Sequence, residues 1–208
     1  MDTLLFATSN KNKAKEVQEA LSKANFPLRV ITDQDLDNPP EVVETGTTFL
    51  ANAKLKAHKL AEFSHLPTLA DDSGLCVDKL NGAPGVFSAR YSGQDHNDAR
   101  NNAKLLAELG GVPREKRTAT FHTTMVLSWP GRFDDDLITQ GEIKGEILTS
   151  PRGDGTFGYD PLFFVPEKGK TFAQMDVDEK NAISHRGQAL RKLLEELPAW
   201  WKKMEKEK

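Results

Sequence analysis

The run Leu69-Ala-Asp-Asp-Ser-Gly-Leu75 brings two adjacent carboxylates, a hydroxyl and a glycine to the end of an apolar segment. Read as a buried strand, it delivers Asp71 and Asp72 to a turn, where paired carboxylates hold a hard cation or take a proton from water. The same residues also make an ordinary strand-ending turn, so the chemistry depends on what other segments bring. Thr8-Ser-Asn-Lys-Asn-Lys13 combines hydroxyls, amides and ammoniums where a strand passes into a helix. Free N–H groups and the helix dipole favour phosphate at such a junction, although a capped helix with solvated lysines has the same composition. The segment is not a Walker A loop, because it lacks the glycines and the Gly-Lys-Ser/Thr ending.

Glu41 and Glu44 lie in an acidic loop. If Glu44 comes near Asp72, two carboxylates with phosphate oxygens and water complete an octahedral Mg²⁺ site; otherwise the loop is simply solvated. In Thr156-Phe-Gly-Tyr-Asp160 a glycine lets the backbone approach a flat ligand and Phe157 can stack on a base. A hairpin whose aromatics pack in the core reads the same way. Lys180-Asn-Ala-Ile-Ser-His-Arg186 gathers donors suited to phosphate or to the acceptor edge of a base, at what is also a plain helix start.

The elements that must position these groups follow from periodicity. A strand at Thr3 to Thr8 leads into an amphipathic helix with Ala14, Val17, Leu21 and Ala24 at helical spacing, then a strand at Leu28 to Thr32. Thr47 or Thr48 caps a helix through Phe63, and a helix at Ala99 to Leu109 stops at Gly110-Gly111. From Ala119 to Trp129 the period is two, with one polar face; Leu137 to Leu148 reads as one or two strands interrupted at Gly141 and Gly145. A final helix after Ser184 carries Leu190, Leu193, Leu194 and Leu197, and the tail after about residue 200 reads as frayed and solvated. Helices alternating with strands early and long strands later predict an α/β fold with a mixed central β-sheet flanked by helices.

At 208 residues, 38% hydrophobic and 28% charged, the chain suits a single globular domain. A formal net charge of -3 gives no electrostatic case for nucleic acid or an anionic membrane as partner. The lone Cys76, in an apolar context, excludes an intrachain disulfide and reads as a small buried hydrophobe. Thr3 to Ala7 is too short for a signal h-region or a membrane span, so a cytoplasmic protein is expected.

Taken together and in order, these segments resemble the inosine triphosphate pyrophosphatase (HAM1-like) family. The matching pieces are Thr8 to Lys13, Glu44-Thr-Gly-Thr-Thr-Phe49 with Asn52-Ala53, Ala70 to Leu75, Gly82-Ala-Pro-Gly85 with Ser88 to Gly93, Phe157-Gly-Tyr-Asp-Pro161 and Ser184-His-Arg-Gly187. The resemblance implies hydrolysis of aberrant purine nucleoside triphosphates (dITP, ITP, XTP) to monophosphate and pyrophosphate. It implies Mg²⁺ on Glu44 and Asp72, with Asp72 also the proton acceptor. Triphosphate contacts fall on Thr8, Ser9, Asn10, Lys11, Asn12, Lys13 and Ser73. Base and sugar contacts fall on Phe157, Gly158, Tyr159, Asp160, Lys180, His185 and Arg186. A homodimer with a cleft between two lobes is implied as well. Thr156 stands where the family is expected to have glycine, and Cys76 where alanine is commoner. Other readings are a Maf-like pyrophosphatase acting on different bases, and a non-catalytic nucleotide-binding protein; the latter would have no need of Asp72.

Overall fold

The computed structural model describes residues 2–93, 97–154 and 157–206. The elements run β1 (Thr3–Phe6), α1 (Lys11–Lys23), β2 (Arg29–Thr32), α2 (Phe49–Ser64), β3 (Thr68–Val77), α3 (Asp98–Glu108), β4 (Thr118–Trp129), β5 (Arg132–Ile147), β6 (Phe163–Val165), β7 (Lys170–Thr171), α4 (Val177–Ile183) and α5 (His185–Lys206). The strands form one mixed sheet in the order β2-β1-β3-β4-β5-β6-β7. β1 is parallel to β2 and to β3, while β6 is antiparallel to β5 and β7. The expected α/β class with a mixed sheet is what the chain adopts. Its contacts divide it into two compact units: Met1–Asp72 with Thr124–Gln140 and Ala189–Lys208, and Ser73–Thr123 with Gly141–Gln188.

In the first unit, successive residues of β1 enter different clusters, as the two-residue period of a strand requires. Leu4 and Phe6 pack with Val17 and Leu21 of α1, Met125, Leu127 and Trp129 of β4, and Leu190, Leu193 and Leu197 of α5. Leu5 packs with Ala53, Ala57 and Leu60 of α2 and with Ala70 of β3. The alanines of α2 let that helix come close to the sheet, and β1, covered on both faces, is apolar from Leu4 to Phe6. Thr48 caps α2, its hydroxyl accepting from the Ala51 N–H at 3.1 Å.

The second unit is built on Leu75, Val77, Leu105, Phe121, Phe163 and Phe172. Its ring centroids stand 4.6 Å apart for Phe121 and Phe163 and 5.0 Å for Phe163 and Phe172. Arg117 is buried here, and its guanidinium donates to the carbonyls of Ile147, Leu109, Val112 and Leu148. The fixed fork of five donors matches carbonyls that would otherwise go unsatisfied.

Several expectations are corrected. The strand does not end at the aspartate pair: β3 runs on through Ser73 and Gly74, because Leu75 and Val77 continue the buried alternation to the core of the second unit. β5 is not interrupted at Gly141 or Gly145. A Cβ at Gly145 would lie 2.5 Å from the Phe164 carbonyl oxygen and 2.7 Å from the Phe163 ring, so this glycine marks close packing of β6 rather than a break. The polar face of β4 is covered over its second half, where Thr124 and Ser128 are buried. Cys76 is half-buried rather than interior, and burial pushes its thiol upward in pKa. The tail after residue 200 is helical to Lys206, with Trp201 and Met204 buried in the first unit's core. Among the described residues, no helix is long and apolar enough to cross a membrane.

Met204, fully buried in the last turns of α5, provides a direct check of that correction. Met204→Ala should lower the unfolding free energy by about 2 kcal/mol or more in a denaturant titration. A frayed tail would give a change within about 0.5 kcal/mol.

Candidate active site

β3 carries its two carboxylates to different partners, as adjacent strand residues point oppositely. The Lys13 ammonium of α1 bonds both oxygens of Asp71, at 3.2 and 3.0 Å. Asp72 accepts from the Asn52 side-chain amide of α2 at 3.1 Å. Both aspartates are buried. One turn further along α2, the Lys56 ammonium lies 2.7 Å from a Glu44 carboxylate oxygen and donates to the Asp71 carbonyl at 2.6 Å. Residues 52 and 56 share a helix face, so the i, i+4 spacing of α2 places an amide and an ammonium beside the carboxylates. A second pair at the same spacing serves a separate cluster, with Lys54 3.7 Å and His58 2.7 Å from Asp136. Ser128 donates to the other oxygen of Asp136 at 2.6 Å.

Burial raises the pKa of Asp72 to about 6. The Lys56 ammonium and the Asn52 amide oppose that rise, while the charges of Glu44 and Asp71 add to it. Burial also works against the Lys56 ammonium, but Asp71, Glu44 and Asp72 outweigh it and hold its pKa above the ordinary value. Three carboxylates thus gather beside two ammoniums, a set whose oxygen donors suit a cation better than a bare polyanion. Glu44 and Asp72 offer hard oxygen donors, the ligand type Mg²⁺ takes, and Mg²⁺ needs only one or two protein carboxylates.

The Thr8–Lys13 segment departs from a free anion cradle. Asn10 is the cap of α1, and its side chain accepts from the N–H groups of Asn12 at 3.0 Å and Lys13 at 3.2 Å. Thr8 accepts from the Asn10 N–H at 3.1 Å. Two of the N–H groups expected to face phosphate are thus already satisfied by a cap, while Ser9, Lys11 and Asn12 are exposed. Ser73 belongs to the second unit, where its hydroxyl lies 2.8 Å from that of Thr123.

The second unit gathers the other candidate residues. Asp98 accepts from the Gly158 N–H at 2.7 Å, and the Asn102 amide donates to the Gly158 carbonyl at 2.9 Å. Gly158 has φ +55°, a left-handed conformation that suits glycine. These bonds fix the turn that exposes Phe157, which is 54% accessible. Lys180 forms an ion pair with Asp160 and stands 5.7 Å from the Phe157 ring centre. Burial raises the pKa of Asp160, with Lys180 and Arg186 opposing. His185 stacks on Phe121, rings 4.7 Å apart and 6° from parallel. Lys180 lies within α4 and His185 opens α5, with Ser184 between them, so the segment spans two helices rather than one helix start. Tyr159 is buried, its hydroxyl donating to the Ser88 carbonyl at 2.8 Å. Thr156 lies outside the described residues.

Residues 4–196 match the model of the Ham1 family. The chain belongs to the Ham1 family. It is similar to the dITP/XTP pyrophosphatase of Lactobacillus johnsonii, at 84% identity over 207 residues and 100% of both chains. It is also similar to that of Lactobacillus acidophilus, at 64% identity over 94% of this chain and 97% of the relative. Among solved structures, the HAM1 protein from Coxiella burnetii shares 42% identity with a TM-score of 0.89, over 96% of this chain and 100% of that one. In this Ham1 family member the motif residues divide by unit. Lys13, Glu44, Asp71 and Asp72 sit in the first; Phe157 to Asp160, Lys180, His185 and Arg186 sit in the second.

Lys56 and Asn52 escaped the sequence-based choice of site residues, as did Asp98 and Asn102. A lysine and an asparagine in an alanine-rich helix look like solubility and a poor helix former. The available signal was their i, i+4 spacing on the face that carries Ala53, Ala57 and Leu60, where a polar residue must have a partner.

The raised pKa of Asp72 has a definite linkage sign. Its folded pKa of about 6 lies above the ordinary aspartate value of 3.8, so the folded state holds the proton more tightly and stability falls as pH rises through that interval. In metal-free protein, Asp72→Asn should therefore melt higher than wild type at neutral pH, by on the order of 2 kcal/mol, with the gain disappearing near pH 4. Thermal melts of both proteins across that range would show it; a variant less stable at neutral pH than at acid pH, relative to wild type, would contradict it.

Proposed function

We propose that this chain is a Mg²⁺-dependent nucleoside triphosphate pyrophosphatase that hydrolyses dITP, ITP and XTP to the monophosphate and pyrophosphate. The observation that carries the reading is the acid-rich cluster beside β3, where Lys56 joins the Glu44 carboxylate to the strand that carries Asp71 and Asp72. A triphosphate cannot settle beside such a cluster without a divalent cation between them. The printed name of the Lactobacillus johnsonii relative, a dITP/XTP pyrophosphatase, supports the substrate class.

On this reading Glu44 and Asp72 hold the Mg²⁺. When bound, the ion withdraws charge from phosphoryl oxygens and lowers the pKa of coordinated water. Asp72 takes the proton of a water attacking the α-phosphorus in line. Pyrophosphate leaves with its charge met by Lys13 and the exposed Lys11. Thr8, Ser9 and Ser73 offer hydroxyls, and the exposed start of α1 offers its positive end. Asp71 holds Lys13 near this work rather than taking the proton itself. No covalent intermediate is needed.

Phe157 offers its exposed face to the base, and Lys180, His185 and Arg186 supply donors. A 6-keto purine presents an acceptor where adenine presents an amino donor, so these donors favour hypoxanthine and xanthine. The groups read as meeting phosphate come from both units, Thr8 to Lys13 from the first and Ser73 from the second, while the base groups belong to the second; the two lobes and cleft belong to this reading through the family resemblance. The reading also takes the protein as a cytoplasmic homodimer.

Incubation with Mg²⁺ and a panel of nucleoside triphosphates, with products resolved by chromatography, tests the reading. The expected products from dITP and XTP are monophosphate and pyrophosphate, with turnover abolished by EDTA and restored by Mg²⁺. Diphosphate with free orthophosphate, or full turnover in chelator, would refute it. Asp72→Asn should lower kcat by about 10²-fold or more while the protein stays folded. A folded variant with near-normal kcat removes Asp72 from the role given to it.

A further inference from the structure

We propose that Asn52 is a positioning residue that sets Glu44 and Asp72 in register with each other, and that residue 46 is glycine because this bridge requires it. The proposal rests on the metal-carboxylate reading above. Asn52 is fully buried in α2. Its side-chain oxygen accepts from the Gly46 N–H at 2.8 Å, and its side-chain nitrogen donates to Asp72 at 3.1 Å. The two bonds have opposite polarity. A flipped amide would set N–H against N–H and oxygen against a carboxylate oxygen, so the orientation is determined by its partners.

The bridge is also tight. A Cβ on Gly46 would lie 2.6 Å from the Asn52 side-chain oxygen, 2.7 Å from the Ala51 Cβ and 3.0 Å from the Asn52 backbone nitrogen. The φ of Gly46 is not in the left-handed region, so the requirement is space and not backbone conformation. Glu44 stands two residues before Gly46, and its carboxylate is held 2.7 Å from Lys56. One face of α2 therefore braces each carboxylate: Asn52 grips Asp72 directly and the chain beside Glu44 through Gly46, and Lys56 grips the Glu44 side chain. Groups that orient metal ligands in this way commonly control affinity and rate by 10- to 100-fold.

Asn52→Ala and Gly46→Ala in the full-length protein test the proposal, with circular dichroism to establish folding. The first readout is Mn²⁺ binding to nucleotide-free protein, followed by the electron paramagnetic resonance signal of the free ion; the second is the kcat and KM for dITP at saturating Mg²⁺. Both variants should weaken Mn²⁺ binding by about 10-fold or more and lower kcat, with KM changed by less than about 3-fold. The loss caused by Gly46→Ala should shrink in an Asn52→Ala background, because the two act through one bridge. Lowered melting temperatures with wild-type Mn²⁺ affinity would assign Asn52 a purely structural role and overturn the proposal, as would wild-type kcat in either folded variant. Gly46→Ala, which lies outside any helix or strand, decides the matter should Asn52→Ala fail to fold. A wild-type protein that holds no Mn²⁺ also overturns the proposal. One that binds Mn²⁺ but leaves dITP intact counts against the substrate reading alone, and the variants' Mn²⁺ affinities still judge the bridge.

Discussion

Two adjacent carboxylates buried in the middle of β3 are the constraint around which the first unit is arranged. Neither can be left unpaired in an apolar interior without a cost of several kcal/mol. Each is met from a different helix, Asp71 by Lys13 of α1 and Asp72 by Asn52 of α2. The packing of Val17 and Leu21 and of Ala53 and Ala57 against the sheet fixes where those helices lie. Hydrophobic burial thus does the positioning, and the polar contacts draw on it. The compensation stays incomplete at Asp72, whose pKa remains raised to about 6. Replacing this carboxylate is expected to stabilise the protein while disabling the chemistry, an opposition common at functional sites.

The strands and helices were legible wherever one period dominated. The α1 stripe, the Thr48 cap and the two-residue alternation of β4 each depend on near neighbours in the chain, and such signals survive in a single sequence. Legibility failed where a distant contact overrode local composition. Asp-Asp-Ser-Gly has turn chemistry, yet β3 passes straight through it because Leu75 and Val77 have a core to reach. Gly145 looks like a break but makes room for Phe163 and Phe164. The charged tail looks solvated, yet Met204 needs only one buried position per turn to hold it.

The candidate site divided along the same line. Groups whose type announces chemistry, such as Asp72, Glu44 and Lys13, could be chosen from the sequence. The bracing residues could not, because Asn52 and Lys56 beside these groups, and Asp98 and Asn102 at the Gly158 turn, act through bonds to groups remote from them in the chain. Tyr159 has a role its sequence context did not announce, since its hydroxyl donates to the Ser88 carbonyl, 71 positions away in the chain.

Helix α2 carries two interleaved sets of contacts, residues 52 and 56 toward β3 and the Glu44 loop, residues 54 and 58 toward Asp136. Each residue turns an α-helix by about 100°. A single insertion or deletion between Asn52 and His58 would swing one part of these sets away from its carboxylates whichever way the helix settled. Length is therefore the property of α2 that drift can least alter. Identity is freer: Leu55, Lys59 and Glu62 are exposed and leave both sets untouched. Variation among natural sequences of this helix should appear as substitutions on its open face, with gaps displaced into the loops on either side.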